Sequence, residues 1–342
     1  MKNLLIITQK VDKNDQLLGF FIDWIAGFAQ KFEKVTILCL EKGEFDLPKN
    51  VSVISLGKDR NLSKLFWFFN FYKYLFRYRK QYDAVFIHMN PIWVVLGSWY
   101  WHMTNKKVCL WYAHKSVTFK LRLAEKFSDI IFTSTLDGFR LDSKKVKVVG
   151  QGINTDLFKP DKSVSPAPET LINVGRIAPI KNYEPLIEAI KIIKDGGINV
   201  NLTIVGEPTL NVDFKYQEKL VKMVKDIGIE ERIKFVGKIT NNDLPNYYRK
   251  NKIYINLSRT GSLDKTILEA MASGCVVLSS NDSAKKFLPP RLVIRSENPN
   301  DLAEQIKEAT RWDVGDELRD YVVSNHLLPE LIKSMSESIK TP

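Results

Sequence analysis

The sequence is short of cysteine. Its 342 residues include three, Cys39, Cys109 and Cys275, each inside an apolar run, with no Cys-x-x-Cys and no paired spacing. Such thiols read as reduced core residues, which excludes a disulfide framework or a cysteine-based metal site. No run reaches the about 18 apolar residues that a membrane-spanning helix needs. The opening MKNLLIITQKVDKND turns to charge after a short apolar stretch, so it reads as a first strand and not a signal peptide. An intracellular, cytoplasmic protein is expected. Low-complexity segments, short tandem repeats and nucleic-acid motifs (RNP, KH loop, zinc finger) are also lacking, and no nucleic-acid partner is expected. A phosphate-binding P-loop is missing too. GSLDKT ends in Lys265-Thr266, but Asp264 stands where that loop needs its second glycine.

What is present is positive charge and alternation. The net charge of +12 favours anionic partners, while 44% hydrophobic and 26% charged residues are those of a globular protein. The length suits two domains. Strand-like runs NLLIIT, KVTILCL, VSVISL, DAVFIHM, KVCLWYA, DIIFTST and KVKVVG alternate with helical segments. After a Pro-Ser stretch at 159–170 the pattern restarts with LINVG, NLTIVG, RIKFVG, KIYINL, CVVLSS and RLVI. The expectation is α/β: two Rossmann-like parallel-sheet domains, 1–165 and 166–327, with a last helix at 328–340 packing back on the first.

In such sheets ligands bind beyond the carboxyl ends of the strands. The loops there are GRIAPIK, GEP, GKIT and SRTGSLDK, which single out Gly175, Arg176, Lys181, Gly206, Lys238 and Ile239, and the run Gly261, Ser262, Leu263, Asp264, Lys265 and Thr266. The last loop leads from a strand onto the helix TILEAMAS, closed by Gly274 at a position wanting a left-handed cap. Free N–H groups at that helix start attract phosphate. A nucleotide site in the second domain follows.

VGRIAPIKNYEPLIEAI, LTIVGEP, IKFVGKITNNDLPNYYRKNKIYINLS and ILEAMASGCVV, in that order, resemble the retaining GT-B glycosyltransferase family that includes sucrose synthase and bacterial phosphatidylinositol mannosyltransferases. VVGQGINTDLFKP resembles that family's inter-domain passage. The resemblance covers most of residues 85–310 and implies two domains facing a central cleft, the first serving the acceptor and the second the donor. It implies Arg176 and Lys181 on the donor diphosphate, Glu269 on the ribose hydroxyls and His114 beside the donor sugar. His88, which also ends a strand, is a further candidate for lining the cleft. The substrate implied is a UDP- or GDP-linked sugar and the acceptor a glycan or a lipid-linked molecule. The family's first glutamate is replaced by Gly261, which leaves the sugar contacts open, with Ser262 and Asp264 as substitutes. Its Gly-Gly after the first strand is replaced by TQKVDKNDQLLGF, so the acceptor does not transfer.

Retention without a protein nucleophile, and basic groups in place of a metal, are the mechanism this resemblance implies; no cofactor is expected. A non-hydrolysing sugar-nucleotide epimerase of the same fold is the alternative enzyme, and a basic membrane- or nucleic-acid-binding module the alternative of another class. One segment stays outside these motifs. LSKLFWFFNFYKYLFRYRK, residues 62–80, holds nine aromatic residues and five Lys or Arg. It reads either as a core helix with a basic solvent face or as a helix lying on an anionic membrane. The second reading puts the protein in peripheral contact with the inner face of the cell membrane.

Overall fold

The computed structural model describes residues 2–258 and 261–341 and divides into two compact units. The first is Met1–Gly152 with Leu328–Pro342, the second Ile153–Leu327.

In the first unit, strands β1 (Asn3–Val11), β2 (Lys34–Lys42), β3 (Val51–Ser55), β4 (Ala84–His88), β5 (Lys107–Trp111), β6 (Ile130–Thr133) and β7 (Val146–Val148) form one sheet of order β3-β2-β1-β4-β5-β6-β7. Every pairing in it is parallel. The helices are α1 (Phe21–Lys31), α2 (Lys64–Arg77), α3 (Pro91–Met103) and α4 (Phe119–Phe127). Alternation along β1 feeds two cores, Leu4 and Ile6 on one face, Leu5 and Ile7 on the other. Fully burying each such side chain stabilises by roughly 1.5–3 kcal/mol.

The second unit carries β8 (Thr170–Val174), β9 (Asn201–Val205), β10 (Ile233–Gly237), β11 (Ile253–Asn256) and β12 (Val276–Ser279), in the order β10-β9-β8-β11-β12, again all parallel. Its helices are α5 (Glu184–Asp195), α6 (Asn211–Asp226), α7 (Leu244–Arg249), α8 (Lys265–Ala272), α9 (Pro299–Ala309) and α10 (Gly315–Asn325). The last helix, α11 (Leu328–Lys340), belongs to the first unit, where Leu331, Ile332, Met335 and Ile339 join the core under α1. A Cβ on Gly27 would come within 2.9 Å of Ile332, so the close approach of α1 and α11 requires glycine there.

Two expectations need correction. RLVI is no strand: Pro290–Leu292 forms a 3₁₀ turn and Val293 makes only an isolated bridge to Ser279. The Val293 N–H turns back to the Pro290 carbonyl, which leaves the Ile294 N–H to reach Ser279 O at 2.9 Å. The division between units falls at Gly152, before the Pro-Ser stretch, so residues 153–165 pack with the second unit. Phe158 is fully buried in its core, and the Arg249 and Arg319 guanidinium groups donate to the carbonyls of Leu157, Lys159, Thr155 and Phe158. Polar composition marks a linker only where nothing anchors it.

Candidate functional site

The second sheet reverses its strand order between β8 and β11: from β8 the chain proceeds outward to β9 and β10, and from β11 outward to β12. In open α/β sheets such a reversal, at the carboxyl edge, is where ligands bind. After β8, Gly175 has φ +153°, a backbone only glycine takes without strain, and an added Cβ would stand 3.4 Å from Lys181 Cε. A 3₁₀ turn, Pro179–Lys181, then aims Lys181 back over the sheet edge, and Asn182 in the left-handed region (φ 53°) redirects the chain into α5.

There the two loops meet. Lys181 Nζ donates to Asp264 Oδ2 at 2.7 Å and to Ser258 Oγ at 3.3 Å. Asn256 Nδ2 donates to the same Asp264 oxygen at 3.0 Å. Burial pushes the Asp264 carboxyl up, but the Lys181 charge and the hydrogen bonds from Lys181, Asn256 and Ser258 outweigh it, so its pKa lies below the usual carboxylate value. Arg176, in the same loop as Lys181, reaches Thr209 Oγ1 at 3.4 Å and lies 3.7 Å from the buried Asp213 carboxylate. Asp213 also accepts from the backbone N–H groups of Thr209 and Leu210. Asn256, Ser258 and Asp213 were not singled out from sequence. Their signal is position alone: Asn256 ends β11, Ser258 follows it, and Asp213 lies in the first turn of α6.

The other donor-loop residues fall around this cluster or below it. Gly206 N donates to Gly237 O at 2.8 Å, tying the loops after β9 and β10; Lys238 is exposed and Ile239 packs on the core. Leu263 is buried, the backbone carbonyl of Ser262 accepts from Asn281 Nδ2 at 2.8 Å, and Thr266 Oγ1 meets Tyr254 Oη at 2.8 Å. Glu269 is buried on α8 and holds Lys265 Nζ at 2.9 Å, with Tyr248 Oη at 3.4 Å from its other oxygen. Gly274 has φ +86°, the left-handed cap that ends α8. Gly261 has φ +67°, a conformation costing a side-chain-bearing residue about 1–2 kcal/mol. A glutamate at 261 is therefore disfavoured by this backbone. Arg259 and Thr260, the start of the same loop, lie outside the described residues.

His114 belongs to the first unit. It is exposed just beyond β5, and its Nδ1 accepts from the Ser116 N–H at 3.1 Å. That contact fixes the neutral ring with its proton on Nε2. Partial burial, and then the Lys115 charge, lower its pKa below the ordinary histidine value. His88 is different. It is buried, stacked on Phe21 with centroids 4.1 Å apart, with Thr8 Oγ1 3.2 Å from Nδ1, and burial alone lowers its pKa to about 3. It is a core residue and lines no open surface. The three thiols are likewise buried, which pushes each up to about 12.

Helix α2 turns out the face that sequence left ambiguous. Phe71 and Leu75 point into the core with Trp67 beside them, whereas Leu65, Phe66 and Phe69 are 63, 57 and 59% exposed. Phe76, also exposed, lies 6.2 Å from exposed Trp99 of α3. Lys64, Lys73, Arg77, Arg79 and Lys80 are exposed on and just beyond this helix. Among the described residues no helix is long and apolar enough to cross a membrane.

A family model described as glycosyl transferases group 1 matches residues 155–325, half of the chain and nearly all of the second unit. No curated protein sequence matches. Among solved structures, Anabaena Alr3699/HepE in complex with UDP-glucose is 15% identical, with 99% of each chain covered and a TM-score of 0.79. Sucrose-phosphate synthase from Thermosynechococcus elongatus is also 15% identical, covering 99% of this chain and 98% of that one, with a TM-score of 0.78. At such identity these likenesses speak for the fold alone, which is GT-B. Together with the family match they identify the chain as a member of the group 1 glycosyltransferases.

Proposed function

We propose that the protein moves a sugar from a nucleoside-diphosphate sugar to a glycan or lipid-linked acceptor, with retention and without a metal. The observation that carries this is the convergence of the β8 and β11 loops at the switch point, with Lys181 at its centre and Arg176 in the same loop. A UDP-linked donor is favoured because the similar Anabaena protein is seen with UDP and with UDP-glucose.

In this reading Lys181 and Arg176 hold the diphosphate, and Glu269 exchanges its contact with Lys265 for the ribose hydroxyls, which its two oxygens suit. The bond from the sugar carbon to the β-phosphate oxygen breaks as the acceptor oxygen attacks the same face. The acceptor proton passes to the departing phosphate, so no protein nucleophile is required. Negative charge growing on that phosphate meets cations already in place, which is preorganised electrostatic catalysis. His114, neutral with Nε2–H exposed, has the chemistry to donate to a sugar hydroxyl.

The test is release of nucleoside diphosphate from nucleotide sugars with an acceptor extract, in excess EDTA. Turnover should persist. Full loss restored by Mg²⁺ or Mn²⁺ would overturn the metal-free step, and conversion of the nucleotide sugar with no acceptor present would point to the epimerase.

We further place the exposed aromatic face of α2 on an anionic membrane, which would bring a lipid-linked acceptor to the first unit. Aromatic side chains flanked by Lys64, Lys73 and Arg77 match an interface of apolar chains beneath anionic headgroups. Sedimentation with liposomes should need anionic lipid, weaken with salt, and be lost in Phe66→Ser with Phe69→Ser. Native protein remaining in the supernatant at low salt would leave the acceptor soluble.

A further inference from the structure

We propose that Asp264 makes the site discriminate against the free nucleoside diphosphate, so that the spent donor leaves and the intact nucleotide sugar is retained. The inference rests on the reading that Lys181 serves the donor diphosphate. What goes beyond that reading is the carboxylate placed against this lysine.

The Lys181 and Asp264 side chains are only 12% and 14% exposed, and their 2.7 Å contact is fixed by Ser258 on the ammonium and Asn256 on the carboxylate. A pair so shielded is screened by salt far less than a surface pair. Arg176 has a looser acidic neighbour, Asp213, 3.7 Å away and itself 2% exposed. Among the described residues, each of these two cations has a carboxylate beside it. Sites built only to grip phosphate present uncompensated cations and bare N–H groups.

The two ligands differ in charge. In a nucleotide sugar each phosphate is a diester with one negative charge. Transfer turns the terminal phosphate into a monoester whose second pKa is about 6, so at pH 8 it carries nearly one more negative charge. A purely cationic site would bind this product more tightly than the substrate and would be inhibited by it. A fixed carboxylate beside Lys181 opposes the added charge and removes that preference. Asp264 acts here through charge and through Lys181, as a positioning and specificity residue.

Titration calorimetry of UDP and UDP-glucose, and in parallel GDP and GDP-mannose, tests this in the native protein, Asp264→Asn and Asp264→Glu. At pH 8, Asp264→Asn should tighten the free diphosphate at least about tenfold relative to its sugar ester, with product inhibition rising to match. The gap should shrink at pH 5, where the terminal phosphate gains its proton. Asp264→Glu, which keeps the charge, should stay near the native ratio. An unchanged ratio in Asp264→Asn, or equal weakening of both ligands, overturns the proposal while leaving the nucleotide site standing. Should Asp264→Asn not fold, the native protein decides. Its affinity for the free diphosphate should stay flat or fall between pH 5.5 and 8, and a tenfold rise contradicts the inference. No binding of any of the four ligands to native protein overturns the donor-site reading itself, and this inference with it.

Discussion

Lys181→Ala and Arg176→Ala should each lower kcat/KM for sugar transfer by at least about a hundredfold, with Lys181→Ala the more severe. Losing one preorganised contact to developing charge costs about a hundred- to a thousandfold. The ranking follows from what each lysine or arginine leaves behind. Without Lys181, the buried Asp264 carboxylate keeps its hydrogen bonds from Asn256 and Ser258 but loses the ammonium 2.7 Å away, and so repels the diphosphate more strongly. Arg176 is 3.7 Å from Asp213, and its side chain is 36% exposed, so water relieves part of its loss. Adding Asp264→Asn to Lys181→Ala should recover part of the binding, because the two effects share one contact. Near-normal turnover in both single variants would contradict the assignment.

The second large effect is acid sensitivity of the first unit. His88 is fully enclosed and its pKa falls from 6.5 to about 3. The unfolded chain then binds a proton between those pH values that the folded chain refuses. Stability is therefore complete above pH 6.5 and declines as pH falls toward 3, by at most about 1.4 kcal/mol per pH unit from this group. From pH 6.5 to 5 that is on the order of 2 kcal/mol. Urea unfolding followed by tryptophan fluorescence reads the correct place, since the Trp24 ring lies 6.1 Å from His88 and 4.7 Å from Trp111. His88→Asn should be less stable at pH 7, having lost the stack on Phe21, yet should show a shallower decline toward pH 5. A slope identical to the native one would assign the acid sensitivity elsewhere.

These two expectations draw on very different amounts of sequence information. The places of Arg176 and Lys181 in the loop after β8 were legible, because a loop that follows a strand run leaves little choice of place. Nearly every strand was legible for the same reason, since β-branched runs bounded by glycine have few other uses. The partner of Lys181 was not legible. Asp264 lies 83 residues further along and meets it only because β8 and β11 are neighbours in the sheet. His88 and His114 each follow a strand run, and only the packing of Phe20, Phe21 and Trp24 around His88 separates a core ring from an exposed one. Helix α2 shows a third kind of limit. With aromatic residues on every face, periodicity does not say which stripe goes inward, and the core took Phe71 and Leu75.

The central claim is that the second unit binds a nucleoside-diphosphate group at its switch point. Thermal unfolding of the native protein with a panel of nucleotide sugars and their diphosphates tests it most directly, because a ligand bound only by the folded state adds about 2.7 kcal/mol at a hundred times its Kd. At least one uridine or guanosine ligand should raise the Tm by several degrees, and the same ligand should raise it far less in Lys181→Ala. A Tm unmoved by every member of the panel at millimolar concentration, or raised equally in both proteins, would contradict the account.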